Sequence, residues 1–259
     1  VNLDGAGVVI TGGGGGIGGA LARRFAAAGA RIVVADLDGD AAARVAEEVG
    51  GTHIAVDAAS DEGAGHLIAT AKAELGAIDL FCANAGVAPH GTEAAPEDVW
   101  AQAWDVNVMA HVRAAKLLLP DWLERGEGHF LATVSAAGLL TMLGSAPYSV
   151  TKHGALAFAE WLSATYRHRG ITVQAICPQG VHTNMLAGTG PAGELLMGAS
   201  AIEPGQVADT VMEALSDGRF LVLPHPEVAD YYAARATATD RWLGGMNKLQ
   251  RKVEQELGQ

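Results

Sequence analysis

The sequence predicts one α/β domain spanning 1–259, a doubly wound, Rossmann-like seven-stranded parallel sheet with helices on both faces. Two observations lead there. Short apolar, β-branched runs alternate with helical stretches from residue 8 to about 223, and no Pro/Ser-rich linker interrupts them. The first run, Val8-Val9-Ile10, passes directly into Thr11-Gly12-Gly13-Gly14-Gly15-Gly16-Ile17-Gly18-Gly19, a turn in which the backbone can approach a ligand closely.

In chain order, strands are expected near 8–11, 31–35, 52–56, 80–83, 129–134, 172–176 and 219–223. Helices are expected near 17–28, 40–49, 61–75, 97–125, 147–169 and 204–216. The first helix is amphipathic over 20–28 and stops at Gly29, and the second strand, Arg31-Ile32-Val33-Val34-Ala35, ends on Asp36. Strand, glycine turn, helix, strand and terminal acid are the parts of a dinucleotide-binding unit. A pyrophosphate would sit on the unpaired N–H groups that open the helix, and Asp36 can accept from the adenosine ribose hydroxyls. A glycine run fits several patterns and can be a plain flexible turn; the flanking strands and the acid favour the nucleotide reading. Positions 12–19 hold no lysine or arginine, so a 2′-phosphate would meet Asp36 as a like charge. The expected cofactor is NAD in preference to NADP.

Tyr148 and Lys152 stand one helical turn apart in Tyr148-Ser149-Val150-Thr151-Lys152, which puts both on one helix face. A phenol alone is a poor proton donor or acceptor at neutral pH, and a neighbouring ammonium is expected to lower its pKa. Upstream, Ser135 follows the apolar run Phe130-Leu131-Ala132-Thr133-Val134.

Together these residues resemble the short-chain dehydrogenase/reductase family in its common single-domain form, over nearly the whole chain. Thr11-Gly12-x-x-x-Gly16-Ile17-Gly18 resembles the family's cofactor loop, with Gly15 inside it, and Asp36 followed by Leu37 matches its NAD-selecting acid. Asp57 and Ala58 lie where the family holds the adenine ring, and Asn84-Ala85-Gly86 matches the element that steadies the sheet beside the cofactor. Asn107, Ser135, Tyr148 and Lys152 match a catalytic tetrad in order and spacing. The resemblance implies that Tyr148 exchanges a proton with the substrate oxygen while hydride moves to or from nicotinamide C4. Lys152 would lower the tyrosine pKa and bind the nicotinamide ribose, Ser135 would orient the substrate oxygen, and Asn107 would hold a water that links Lys152 to solvent. One departure stands out. The family usually reads Pro-Gly-x-Val-x-Thr after the sixth strand, and this chain has Pro178-Gln179-Gly180-Val181-His182-Thr183. Pro178, Gly180, Val181 and Thr183 are still expected at the cofactor, and Gln179 is expected to point towards substrate.

Composition narrows the partners. At 259 residues and 49% hydrophobic side chains the chain can bury one substantial core, and a net charge of −12 argues against nucleic acid or anionic membrane. No apolar run is long enough to span a bilayer and no signal-peptide pattern opens the sequence, so a soluble, cytoplasmic protein is expected. Cys82 and Cys177 fall in predicted strands and are expected as packed core thiols. The nine histidines have no metal-ligand spacing, so no metal is expected. His153 is expected to pack or face solvent, whereas His90 and His182 lie in loops that should border the substrate.

The resemblance places a substrate loop at about 182–202, which holds Met185, Leu186, Leu195, Leu196 and Met197, with Glu194 its only ionisable group besides His182. With Leu139, Leu140, Met142 and Leu143 after Ser135, these predict an apolar, adaptable pocket for a hydrophobic secondary alcohol or its ketone. The family pairs its two long helices across a two-fold axis, which implies a homotetramer; Val112, Leu117, Leu156, Phe158 and Leu162 fit that use or packing on the sheet. The tail, about 226–259, carries Tyr231, Tyr232, Trp242 and Met246 and is expected to cap the pocket or touch a neighbour. Two other classes remain open at this point: a non-catalytic NAD-binding sensor or assembly module, and an epimerase or dehydratase that uses NAD transiently.

Overall fold

The computed structural model describes residues 1–189 and 196–257. Glu194 and Leu195 lie outside the described residues. The seven expected strands form one sheet: β1 (Gly7–Thr11), β2 (Arg31–Asp36), β3 (Thr52–Ala55), β4 (Leu80–Ala83), β5 (Gly128–Thr133), β6 (Ile171–Ile176) and β7 (Leu221–Val222). Every pairing is parallel, and the order is β3-β2-β1-β4-β5-β6-β7. The order reverses between β1 and β4, and in an open sheet the crevice at the carboxyl ends beside that reversal is where ligands bind.

The strands are apolar on both sides because both faces are covered. One face, with Val9, Phe81, Phe130 and Val173, packs on α3 (Asp61–Leu75), α5 (Ala110–Arg125) and α7 (Ala146–Tyr166). The other, with Val8, Ile10, Val34 and Leu131, packs on α1 (Gly16–Ala27), α2 (Gly39–Val49) and α9 (Pro204–Asp217). Cys82 and Cys177 are free thiols buried in these cores. Among the described residues no helix is long and apolar enough to cross a membrane.

The helix expected over 97–125 is in fact three pieces. α4 (Glu97–Trp104) passes through a π-helical turn, Asp105–Met109, into α5. A π-turn inserts one residue into the helical register and re-aims the side chains around it; here it carries Asn107, which is fully buried. A short α6 (Ala136–Leu139) follows β5, α8 (Asn184–Ala187) follows β6, and the tail forms α10 (Glu227–Thr237) and α11 (Thr239–Leu257).

Several expected roles change on this scaffold. Leu139, expected in the pocket, is 1% exposed and belongs to the core, because α6 turns its last residue back onto the sheet. Leu156 and Leu162 likewise face the sheet of their own chain, while Phe158 packs partly on the core and stacks on Trp161. The apolar side chains that α4, α5 and α7 leave exposed are Trp104, Leu117, Val150 and Trp161.

Two buried histidines make the fold sensitive to acid. His111 on α5 has no partner for either ring nitrogen among the described residues, and burial, helped by the charge of Lys152, lowers its pKa to about 3. Burial lowers His129 to about 4, although its Nε2 pairs with Gln174 at 2.9 Å. Both rings stay neutral in the fold but protonate in the unfolded chain below its ordinary histidine value. Their contribution is therefore intact above pH 6.5 and is lost as pH falls towards 4 and 3. In that window each adds a slope of about 1.4 kcal/mol per pH unit. Urea unfolding of wild type and His111→Leu between pH 7 and 5 should show the variant more stable, with a shallower loss on acidification. Identical slopes would contradict the assignment.

Candidate active site

The glycine loop is shaped by contacts that leave no room for side chains. Gly12 and Gly16 have φ of +61° and +51°, in the region glycine favours, and a Cβ on Gly18 would stand 2.2 Å from the Gly12 carbonyl oxygen. Gly14 was not singled out in the sequence, yet a Cβ there would lie 2.9 Å from the Asp36 carboxylate. That closeness is functional geometry: the Gly14 N–H donates to Asp36 Oδ2 at 2.9 Å, while Asp38 N–H donates to Oδ1 at 3.0 Å. Gly15 caps α1 without any side-chain hydrogen bond, no acid occupies the first turn, and a Cβ on Gly15 would meet nothing within 4 Å. The helix therefore presents open N–H groups to a cavity, an arrangement suited to a pyrophosphate.

Thr11 ties this loop to the neighbouring strand. Its hydroxyl donates to the Cys82 carbonyl and accepts from the N–H groups of Asn84 at 3.0 Å and Ala85 at 3.1 Å. The Asn84 amide donates to the carbonyls of Thr11 and Gly12, and its oxygen accepts from the Thr133 hydroxyl. Three strand ends are thus cross-linked by one asparagine and two threonines.

On the other side of the same cavity, Ser135, Tyr148 and Lys152 come together. Ser135 stands two residues beyond β5 and caps α6, accepting from Ala137 N–H at 3.1 Å. Lys152 is 2% exposed, and its ammonium donates to the Thr133 carbonyl at 2.9 Å and lies 5.7 Å from the centre of the Tyr148 ring. Burial lowers Lys152 to about 8. Tyr148 departs from expectation: burial raises its pKa, the neighbouring Ser135 hydroxyl acts to lower it, and buried Cys177 adds to the rise. Burial is the largest of these influences, so in the free protein the phenol lies above the ordinary tyrosine value.

Asn107 stands behind the cavity wall. Its oxygen accepts from Val87 N–H at 3.0 Å, and its amide donates to the Val87 carbonyl at 2.9 Å and to the Thr151 hydroxyl at 3.0 Å. The carboxamide thus ties the Val87 backbone to Thr151 on α7, and a Cβ on Gly86 would lie 3.2 Å from its oxygen and 3.4 Å from the Lys152 ammonium.

The cavity measures about 1460 Å³ and runs from the glycine loop and Asp36, past Asn84, Ala85 and Gly86, to the Ser135, Tyr148 and Lys152 cluster. Ligand pockets for one small molecule span roughly 300–1,000 Å³, so this one has room for two. Gly12, Gly15, Gly16, Ile17, Pro178, Gly180, Val181 and Thr183 line it, as do His90, Leu140, Gln179, His182, Met185 and Leu186. Gly18 packs behind the loop, and Leu37, Asp57 and Ala58 are not among its walls. Leu37 is exposed, and the Asp57 carboxylate accepts from its own Ala59 N–H in the turn that starts α3. Arg23 and Arg24 reach the rim but are paired with Glu48 at 2.6 Å and Asp209 at 2.5 Å.

The altered turn after β6 is stabilised in a way the sequence does not reveal. Buried His225 accepts from Gln179 N–H at 3.1 Å through Nδ1, while its Nε2 meets the Ser200 carbonyl at 3.1 Å. The Gln179 carboxamide donates to Glu227 at 2.9 Å rather than turning freely into the cavity. His90 reaches across to the Gly188 carbonyl at 2.9 Å, and Gly180 and His182 pair with Ile202 through backbone hydrogen bonds.

A sheet of this order, with a glycine loop and a Ser-Tyr-Lys cluster at its carboxyl edge, defines a nucleotide-dependent oxidoreductase. A family model described as short chain dehydrogenase matches residues 6–192. The chain is 39% identical over 229 residues to 1-deoxy-11-beta-hydroxypentalenate dehydrogenase of Streptomyces exfoliatus, covering 85% of this chain and 82% of that one. A short chain dehydrogenase/reductase of Burkholderia phymatum in complex with NAD has a TM-score of 0.84 at 27% identity, over 93% of this chain and 96% of the other. A 7 alpha-hydroxysteroid dehydrogenase complexed with NADH and 7-oxo glycochenodeoxycholic acid has a TM-score of 0.78 at 26% identity, over 86% and 94%. The chain belongs to the short-chain dehydrogenase/reductase family.

Thr11→Val tests the strand cross-link, since it keeps the shape but leaves two buried N–H groups without an acceptor. Unsatisfied buried donors cost about 1–3 kcal/mol each. Chemical denaturation should show a loss of that order, and calorimetry should show dinucleotide affinity reduced at least tenfold. Unchanged values for both would refute the role.

Proposed function

We propose that the protein is an NAD-dependent dehydrogenase that moves hydride between nicotinamide and a lipophilic secondary alcohol or its ketone. The reading is carried by one observation: the Ser135, Tyr148 and Lys152 cluster and the glycine loop with Asp36 open into a single cavity. The residues present would hold a dinucleotide: the N–H groups that open α1 would bind its pyrophosphate, Asp36 its adenosine ribose and Lys152 its nicotinamide ribose. When bound, the nicotinamide accepts the hydride that leaves the carbinol carbon.

The chain's own residues handle the proton. Ser135 donates to the substrate oxygen and orients it, an electrostatic role of the oxyanion-hole type. In the oxidation direction Tyr148 takes the hydroxyl proton as the carbinol C–H bond breaks with its electron pair, leaving the ketone. Lys152 holds positive charge beside the developing phenol and shares it with the ribose. Asn107 positions the 86–87 backbone that backs this lysine.

Asp36 supports NAD over NADP, since the two rim arginines are already paired with carboxylates. Leu140, Met142, Met185 and Leu186 make the substrate end apolar, consistent with the hydroxypentalenate and hydroxysteroid named for the relatives. The exposed Trp104, Leu117, Val150 and Trp161 support a homotetramer built through α4, α5 and α7; light scattering at a monomer mass would refute that arrangement.

Tyr148→Phe should lower kcat at least a thousandfold and leave NAD affinity within about threefold. Wild type should form NADH from cyclic secondary alcohols with a higher kcat/KM for NAD than for NADP. Retained turnover in Tyr148→Phe, or a preference for NADP, would overturn the corresponding part of the proposal.

A further inference from the structure

We propose that the C-terminal helix pair is a fixed wall of the substrate chamber, with Arg235 as the positioning residue that fastens it and Trp242 and Met246 as specificity-determining side chains. The proposal rests on the function proposed above and names the class of substrate: bulky, multi-ring lipophilic alcohols or ketones in preference to small ones.

α10 is anchored to the body rather than trailing from it. Val228 is fully buried in the same core cluster as Leu139, and Tyr232 packs against that cluster. At its start, Glu227 accepts from Gln179, whose N–H is in turn held by His225. At its far end, the Arg235 guanidinium donates to the carbonyls of Leu139 and Leu140, at the C-terminal end of α6, the short helix that Ser135 caps. The same group contacts His153 Nε2 at 2.8 Å. His153 Nδ1 meets the Ser149 carbonyl at 2.8 Å, so the ring proton resides on Nδ1 and Nε2 accepts from Arg235. His153 immediately follows Lys152. One side chain therefore joins the tail to the segment that carries Ser135 and to the helix that carries Tyr148 and Lys152.

Arg235 also lies 5.5 Å from the ring of Trp242, a cation–π contact that aims α11. Along α11, Trp242, Met246 and Leu249 recur at helical spacing and line the cavity, as does Tyr231 of α10. They enclose the space left by Leu140, Met142, Met185 and Leu186 on the body. Flat aromatic and pliable methionine surfaces reward a broad apolar ligand and offer a small one little contact.

The test uses full-length wild type, Trp242→Ala, Arg235→Ala and Arg235→Lys, with 1-decalone and acetone as probes of the protein–NAD complex by calorimetry. Hydrogen exchange over 139–143 and 227–257 is read in parallel. Wild type should bind 1-decalone at least tenfold more tightly than acetone. Trp242→Ala and Arg235→Ala should each weaken 1-decalone binding at least fivefold, with NAD affinity within twofold. Arg235→Ala should speed exchange in both segments, and Arg235→Lys should restore little, because an ammonium does not reproduce the planar fork. No preference for 1-decalone in wild type, or variants that bind it as wild type does, would overturn the inference. The two readings separate cleanly: decalone binding that depends on Trp242, with no NADH formed from any alcohol, sinks the proposed function alone. Alcohol oxidation with 1-decalone binding indifferent to Trp242 and Arg235 sinks this inference alone.

Discussion

The site is organised around an ammonium held inside the protein. Lys152 is almost wholly buried, and among the described residues its ammonium donates to the Thr133 carbonyl at the end of β5. Taking it from 10.5 to about 8 makes the protonated form a burden of about 3 kcal/mol on the fold. That cost is fully present below pH 8 and is relieved as pH rises towards 10.5. The surroundings are arranged to hold this group in place. Asn107 clamps the 86–87 backbone behind it, Thr133 receives it, and Thr133 is in turn tied through its hydroxyl to Asn84 and so to the glycine loop. The glycine loop and the Ser135, Tyr148 and Lys152 cluster share one hydrogen-bonded frame across the ends of β1, β4 and β5.

Within that frame, burial and charge oppose each other at Tyr148. Desolvation raises the phenol pKa above the ordinary tyrosine value even with an ammonium 5.7 Å from the ring centre. A positively charged ligand ring beside the phenol would supply what the lysine alone does not.

Much of this was legible in the sequence because the signals are local. β-branched runs mark the strands to within a residue or two, as at Arg31–Asp36, and the glycine loop announces a backbone too close to its neighbours for side chains. The four-residue spacing of Tyr148 and Lys152 fixes their shared helix face. What stayed hidden depends on contacts distant in the chain or on register. No periodicity distinguishes the π-turn at Asp105–Met109 from the helices on either side. Leu139 reads as a pocket residue until α6 turns it onto the sheet. His225 and Arg235 carry no motif; each matters because folding brings it to backbone groups far away in sequence.

The most direct test of the account is the ionisation of Tyr148 itself, followed as the phenolate absorbance difference between wild type and Tyr148→Phe across pH. The phenol should titrate above the ordinary tyrosine range in the free protein and move down by more than one unit when oxidised NAD is added. A titration that is already low in the free protein, or that NAD leaves unmoved, would contradict it.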